Sequence, residues 1–229
     1  MRKHEKITLA TWPTPLEPQP KLATALGLNP EDLWFKRDDL TGLAGGGNKI
    51  RKLEYTCAAA VAQGAQTLVT VGAAQSNHAR LTAAAGAVLG LDVVLVLAGS
   101  PPSDYTGNIA LDGLLGATLL WAGEVDDHQL EAIAEAEVTR LKAAGTPAAL
   151  IPFGGTNALA AQGYVDCAHE LQQQLSDIKH VFTAIGSGGT MAGLVYGLGA
   201  ERVHGVDAGA GTDPEVRVRG LLSELTATA

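Results

Sequence analysis

The stretch GLAGGGNKIRKLEY, residues 42–55, places Lys49, Arg51 and Lys52 directly after a run of glycines, in what reads as the first turn of a helix. A helix N-terminus already carries partial positive charge, so cations gathered there need an anion or a chemical task to offset them. A lysine amine can attack a carbonyl, and a charged lysine can hold a phosphate. The competing reading is a glycine-rich turn followed by a solvated cationic face. A nucleotide phosphate loop is excluded: Gly42 and Gly47 have its separation, but Asn48 stands where the lysine belongs, and Ile50 rather than Ser or Thr follows Lys49.

Two further glycine-containing junctions carry chemistry. In VGAAQSNHARLTAAAG, residues 71–86, Ser76 or Asn77 can cap the following helix. The polar run Gln75, Ser76, Asn77, His78 also lies where main-chain N–H groups and hydroxyls can hold a carboxylate. His78 has no second ligand at metal spacing, which argues against a metal site. In AIGSGGTMAG, residues 184–193, small residues let a ligand approach the backbone, and the N–H groups with the Ser187 and Thr190 hydroxyls make a phosphate cradle. Met191 breaks a dinucleotide fingerprint, although Asp207 falls near the distance of a ribose-binding acid and keeps a nucleotide-dependent oxidoreductase open. A phosphate cradle far in sequence from a lysine after a glycine turn is the pair that an aldehyde cofactor requires, one as anchor and one as amine.

These groups need a scaffold. The runs LWFK, TLVTVG, VVLVLAG, ATLLWAG, AALIPFGG, HVFTAIGSGG and RVHGVDAG alternate with alanine-rich helical stretches, which predicts an α/β fold built on a parallel, doubly wound sheet. Several runs are apolar throughout, as expected of strands covered on both faces. Leu130, Ile133, Ala134, Val138 and Leu141 form one helical stripe, and Tyr164, Cys167, Ala168, Leu171 and Leu175 another; both read as core. In such sheets ligands bind at the C-terminal ends of strands, where the junctions lie.

The 229 residues, 46% of them hydrophobic, suffice for one large or two small packed domains. A net charge of -8 without a long basic run argues against nucleic acid as partner. Two isolated cysteines, Cys57 and Cys167, make neither a disulfide framework nor a zinc site and suit a reducing cytoplasm. The N-terminal residues lack the apolar core of a signal peptide, and no run of about eighteen apolar residues occurs, so no membrane segment is expected.

Taken in order, GGGNKIRKLEY, QSNHAR, PFGGTNALAAQGYVDCA and GSGGTMAG resemble the D-cysteine desulfhydrase and 1-aminocyclopropane-1-carboxylate deaminase family. The resemblance runs from TPLEPQPKL at residue 14 to about residue 208. It implies a fold-type II enzyme dependent on pyridoxal 5'-phosphate, with two doubly wound parallel-sheet domains. The implied division is residues 1–47 in the larger domain, 48–155 in a smaller cofactor and substrate domain, and 156–229 in the larger domain again, truncated at its C-terminus.

Carried over by motif, Lys49 resembles the lysine that attaches the cofactor and moves the Cα proton, and Lys52 a phosphate partner. Asn77 resembles the ligand of the cofactor's ring hydroxyl. Ser76, Asn77 and His78 resemble the substrate carboxylate site, with Ser76 also in a catalytic place. Gly186, Ser187, Gly188, Gly189 and Thr190 resemble the phosphate loop. His78 and the GGTN loop at 154–157 are more similar to the desulfhydrases than to the ring-opening deaminases. The implied reaction is β-elimination from D-cysteine to hydrogen sulfide, pyruvate and ammonia, with L-cysteate sulfo-lyase and the deaminase as alternatives. A homodimer acting on a small amino acid is the implied arrangement. Members of the family continue well past RVRGLLSELTATA, which implies an incomplete larger domain and, for the 229-residue chain alone, weak cofactor retention and low turnover. A non-catalytic protein that keeps the fold is the alternative from another class.

Overall fold

The computed structural model describes residues 5–209 and 213–228. Residues 1–4, 210–212 and 229, which the implied domain ranges also take in, lie outside the described residues. All seven strand-like runs contain a strand: β2 (Trp34–Lys36), β3 (Thr67–Gly72), β4 (Asp92–Leu97), β5 (Thr118–Trp121), β6 (Ala148–Leu150), β7 (Val181–Ile185) and β8 (Val203–Asp207). One departs from the expected parallel sheet. β2 pairs antiparallel with a three-residue strand that the sequence pattern does not mark, β1 (Leu16–Pro18), and the two form a separate ribbon. Both are short, and only the short helix α1 (Pro20–Ala25) lies between them rather than the long crossover that parallel pairing requires.

The central sheet is parallel, in the order β5-β4-β3-β6. β3 is buried at every position and β4 at all but its first, which explains their unbroken apolar character. Helices α2 (Ile50–Ala62), α3 (Asn77–Leu89), α4 (Asn108–Leu114) and α5 (Asp127–Ala143) belong to this half of the chain. The stripe Leu130, Ile133, Ala134, Val138 and Leu141 packs from α5 onto Val69, Val71, Val94 and Val96, as its spacing predicts. β7 and β8 form a second parallel pair with α6 (Ala158–Gln174), α7 (Gly189–Leu198) and α8 (Pro214–Thr228). Tyr164, Cys167, Ala168 and Leu171 of the second stripe are core, while Leu175 falls just past the end of α6.

The two halves meet where α2 crosses α6. Gly163 makes the crossing feasible, because a Cβ there would come within 2.1 Å of the Arg51 carbonyl oxygen. The first turn of α2 is accordingly buried from Ile50 to Glu54.

Candidate cofactor and substrate site

β3 has β4 on one side and β6 on the other, so the chain order reverses at the β3–β6 boundary and opens a crevice at their C-terminal ends. Residues 73–78 leave β3 at this point, and residues 151–157 leave β6 beside them. Thr70 joins the two: its hydroxyl donates to the Ile151 carbonyl at 2.9 Å and meets His78 Nε2 at 2.9 Å. Because Thr70 has one hydroxyl proton and spends it on Ile151, His78 Nε2 is the donor and Nδ1 keeps a lone pair. Burial, with Lys49 and Lys52 nearby, pushes the His78 ring down to about 3 and keeps it neutral, against the weaker pull of the Pro152 carbonyl. Nδ1 makes no well-formed hydrogen bond and faces Gly155, where a Cβ would lie 3.2 Å away.

The three cations of the opening stretch separate onto two faces of α2. Lys49 caps the helix and Lys52 lies three residues on, so these two share a face, while Arg51 points elsewhere. Arg51 does not serve an anionic ligand. Its guanidinium pairs with Asp38 through two hydrogen bonds of 2.8 Å and with Glu170 through two of 2.9 Å, and it stacks 4.2 Å over the Trp12 ring. The anion that a first-turn cation requires is supplied for Arg51 by two carboxylates distant in sequence.

Neither Lys49 nor Lys52 forms an ion pair among the described residues. Burial lowers the basicity of Lys49, and burial together with Lys49 lowers that of Lys52 strongly. Lys52, 1% exposed, donates to Thr156 Oγ1 at 2.8 Å, and Thr156 Oγ1 lies 2.5 Å from Ser187 Oγ. The loop Gly186, Ser187, Gly188, Gly189 and Thr190 connects β7 to α7, whose N-terminus has no side-chain cap. A Cβ on Gly189 would meet Thr156 Cγ2 at 2.9 Å and Lys52 Nζ at 3.1 Å. On Gly154 it would meet Ser187 Oγ at 2.9 Å and Lys49 Nζ at 3.9 Å. Glycine at these positions keeps a small cradle open between two amines, two hydroxyls and a helix N-terminus.

The structure thus brings Lys49, Lys52, His78, Ser187 and Gly189 around one cradle. Asn77 borders it indirectly: its Oδ1 accepts from Asn108 Nδ2 at 3.0 Å and from Arg80 at 3.5 Å. Ser76 caps α3, accepting from the Ala79 N–H at 3.2 Å. Asn108 also donates from its N–H to Gln75 Oε1 and from Nδ2 to the Gln75 carbonyl, both at 2.8 Å, and so fixes the 75–77 loop. Sequence reasoning missed Thr70, Asn108 and Thr156 as site residues. Only Thr156 left a signal, two glycines and a threonine after a strand. Asp207, the acid of the oxidoreductase reading, accepts from the Gly209 N–H at 2.9 Å within its own turn. Among the described residues there is no cluster of three metal-ligating side chains and no helix long and apolar enough to cross a membrane.

An amine of lowered basicity and a second amine beside hydroxyls and an uncapped helix suit an aldehyde that carries a phosphate. Comparison with known proteins decides its class: the pyridoxal-phosphate dependent enzyme family matches over residues 7–224. The chain belongs to that family. Among curated relatives, it is 43% identical over 208 residues to a D-cysteine desulfhydrase of Klebsiella pneumoniae, covering 86% of this chain and 61% of that protein. It is 40% identical over 200 residues to a Pyrococcus horikoshii protein provisionally named 1-aminocyclopropane-1-carboxylate deaminase, covering 86% and 60%. A solved homologue of that deaminase superposes with a TM-score of 0.90 at 36% identity over 98% of this chain and 70% of its own. A solved threonine deaminase from T.th. gives 0.67 at 26% identity, covering 85% and 59%.

The chain spans about three-fifths of the length of these two curated relatives. As expected, it is an α/β member of the fold-type II pyridoxal-phosphate enzymes, and pyridoxal phosphate is the family's cofactor. The residues present fit that group: the glycine cradle would be filled by any Cβ, and two amines, Lys52 buried and Lys49 half-buried, lack a counter-ion among the described residues.

Proposed function

We propose that this chain carries the cofactor-attachment and phosphate sites of a pyridoxal-phosphate dependent carbon–sulfur lyase that performs β-elimination on D-cysteine. The observation that carries the reading is the pairing of an amine whose basicity burial lowers, Lys49, with a cradle of Lys52, Thr156, Ser187 and the α7 N-terminus. Lys49 would attach the cofactor, and Lys52, Ser187, Gly188, Gly189 and Thr190 would hold its phosphate.

When bound, the cofactor supplies an electron sink that acidifies the Cα–H of an attached amino acid. Lys49 Nζ would take that proton, and its lowered basicity makes the unprotonated amine easier to reach. His78, neutral and with a free lone pair on Nδ1, adds no competing charge beside it. Ser76 and the first-turn N–H groups of α3 receive the substrate carboxylate, and Asn77 reaches the cofactor's ring oxygen. The reading also assigns residues 48–155 to the smaller domain, 1–47 and 156–229 to the larger one, and a homodimer to the whole protein.

The choice of D-cysteine rests on the desulfhydrase relative and on His78 with the 154–157 loop. The provisionally named deaminase favours 1-aminocyclopropane-1-carboxylate as a second substrate to test. The experiment is to add pyridoxal phosphate, record the visible absorbance before and after borohydride, and map the reduced adduct. Sulfide release from D-cysteine, sulfite release from L-cysteate, and keto-acid formation from the cyclopropane acid are then assayed. An adduct on Lys49 with sulfide from D-cysteine supports the reading. Adduct formation that survives Lys49→Ala refutes the attachment, and turnover of the cyclopropane acid alone refutes the substrate.

A further inference from the structure

The QSNHAR stretch ends in a cation to which the proposed chemistry gives no task. Arg80, on α3, is 6% exposed and forms no ion pair among the described residues. Its fork turns instead to the glycine loop before α2. One terminal nitrogen donates to the Ala44 carbonyl, and the other to the Gly46 carbonyl at 3.0 Å and, at 3.5 Å, to Asn77 Oδ1.

The loop it grips is strained. Ala44 has φ 45° and ψ 47°, a left-handed conformation that costs a non-glycine residue free energy. At Gly46 a Cβ would come within 1.9 Å of the Asp39 carbonyl oxygen, so the backbone is pressed against its neighbour there. One planar guanidinium thus pins two carbonyls of a strained loop, the nearer of them three residues before Lys49. A single ammonium cannot reproduce that fork.

The charge is spent in an unusual way. The nearby acid, Asp112 of α4, is fully buried with neither carboxylate oxygen bonded, and Arg80 Nε also lacks a partner. Burial pushes the Asp112 carboxyl up to about 6, with Arg80 pulling it down. A buried guanidinium is costly unless it is paired, and here its hydrogen bonds go to main chain and an amide instead of to the available carboxylate.

We infer that Arg80 is a positioning residue: it fixes the Ala44–Gly46 loop that presents Lys49 and ties that loop to Asn77. The inference rests on the reading of Lys49 as the attachment lysine. Without the fork the loop relaxes and admits water around Lys49, whose lowered basicity comes from burial.

The test compares the 229-residue chain with its Arg80→Met and Arg80→Lys variants, each checked for a cooperative melt. Lysines are methylated with formaldehyde and cyanoborohydride across a range of pH, and the extent at each is read by peptide mapping. Pyridoxal phosphate capture on Lys49 is timed separately by borohydride trapping. In Arg80→Met the methylation midpoint of Lys49 moves up toward the ordinary lysine value of 10.5, and capture slows about ten- to a hundred-fold, the scale of a misplaced reacting group. Lys21 and Lys142 methylate as in the parent chain, and Arg80→Lys falls between. An unchanged Lys49 midpoint and capture rate in Arg80→Met overturns the inference. If Arg80→Met does not fold, an Arg80→Lys variant identical to the parent overturns it. Failure of the parent chain to form any Lys49 adduct refutes the attachment reading instead, and the methylation midpoint still decides Arg80.

Discussion

Replacing Lys52 with methionine should stabilise the cofactor-free chain and weaken cofactor capture, two effects of opposite sign from one substitution. Lys52 is 1% exposed, and its amine donates to Thr156. Burial and Lys49 strongly lower that amine's basicity in the fold relative to the unfolded chain, where the ordinary lysine value of 10.5 applies. The unfolded state therefore binds more protons, and stability rises with pH toward the ordinary lysine value of 10.5. Methionine has nearly the same reach and no such cost. Thr156 is not orphaned, because it keeps Ser187 at 2.5 Å and the Gly154 carbonyl at 3.2 Å. Replacing buried charged groups with apolar ones of similar volume yields about 1–4 kcal/mol. One amine should sit at the low end, about 1–2 kcal/mol, or about 2–8 °C in melting temperature for a chain of this size. The gain should shrink as pH rises through 10.5, above which the parent lysine is uncharged in both states. Loss of a charge-assisted hydrogen bond to phosphate, about 1.5–3 kcal/mol, should weaken pyridoxal phosphate binding about ten- to 150-fold. Calorimetry of the cofactor-free chain at two pH values and an absorbance titration measure both. A Lys52→Met chain that melts lower at neutral pH, or binds the cofactor as tightly as the parent, refutes the reasoning.

Four further outcomes follow from the same geometry. The rate of cofactor capture by Lys49, followed against pH, should reach half-maximum below the ordinary lysine value of 10.5, and Lys49→Ala should form no borohydride-stable adduct. Phosphate binding in the cradle should raise the lowered basicity of Lys52, so calorimetric titration with inorganic phosphate in buffers of different ionisation enthalpy should show net proton uptake in a pH range below the ordinary lysine value of 10.5. Gly163→Ala should lower stability by about 3 kcal/mol or more, read by denaturant unfolding, because its Cβ meets the Arg51 backbone rather than a movable side chain. Cys57 and Cys167 are buried with thiols pushed up to about 12, so a thiol reagent near neutral pH should modify neither until the chain unfolds.

Much of this was legible in the sequence wherever the signal is local. The apolar runs of β3 and β4, the stripe on α5, and the Ser76 cap each follow from periodicity or from the geometry of one turn. Lys49, Lys52 and the 186–190 loop stand out in the sequence as glycines beside cations or a helix start, and the fold brings them together. What escaped is non-local. β1 is three residues long and carries no pattern of its own; it exists because β2 pairs with it. The partners of Arg51, Asp38 and Glu170, lie 13 and 119 residues away. Thr70 sits inside an apolar strand, where nothing marks its hydroxyl as the bridge between β6 and His78.

The charges in the first turn of α2 make sense only when its two faces are taken together. On one face Arg51 binds the half that carries α6 through Glu170 and the N-terminal segment through Asp38 and Thr14. On the other, Lys49 and Lys52 reach a cradle whose far wall, Ser187 and Gly189, belongs to the α7 side of the same crossing. The Gly163 contact holds this turn against α6, so the spacing between the amines and the 186–190 loop is set by a backbone-to-backbone approach rather than by side chains that could adjust. A site built this way tolerates little drift in the crossing. Substitutions at Gly163 should therefore cost cofactor capture in proportion to how far they part the helices, even where enough stability remains for the chain to fold.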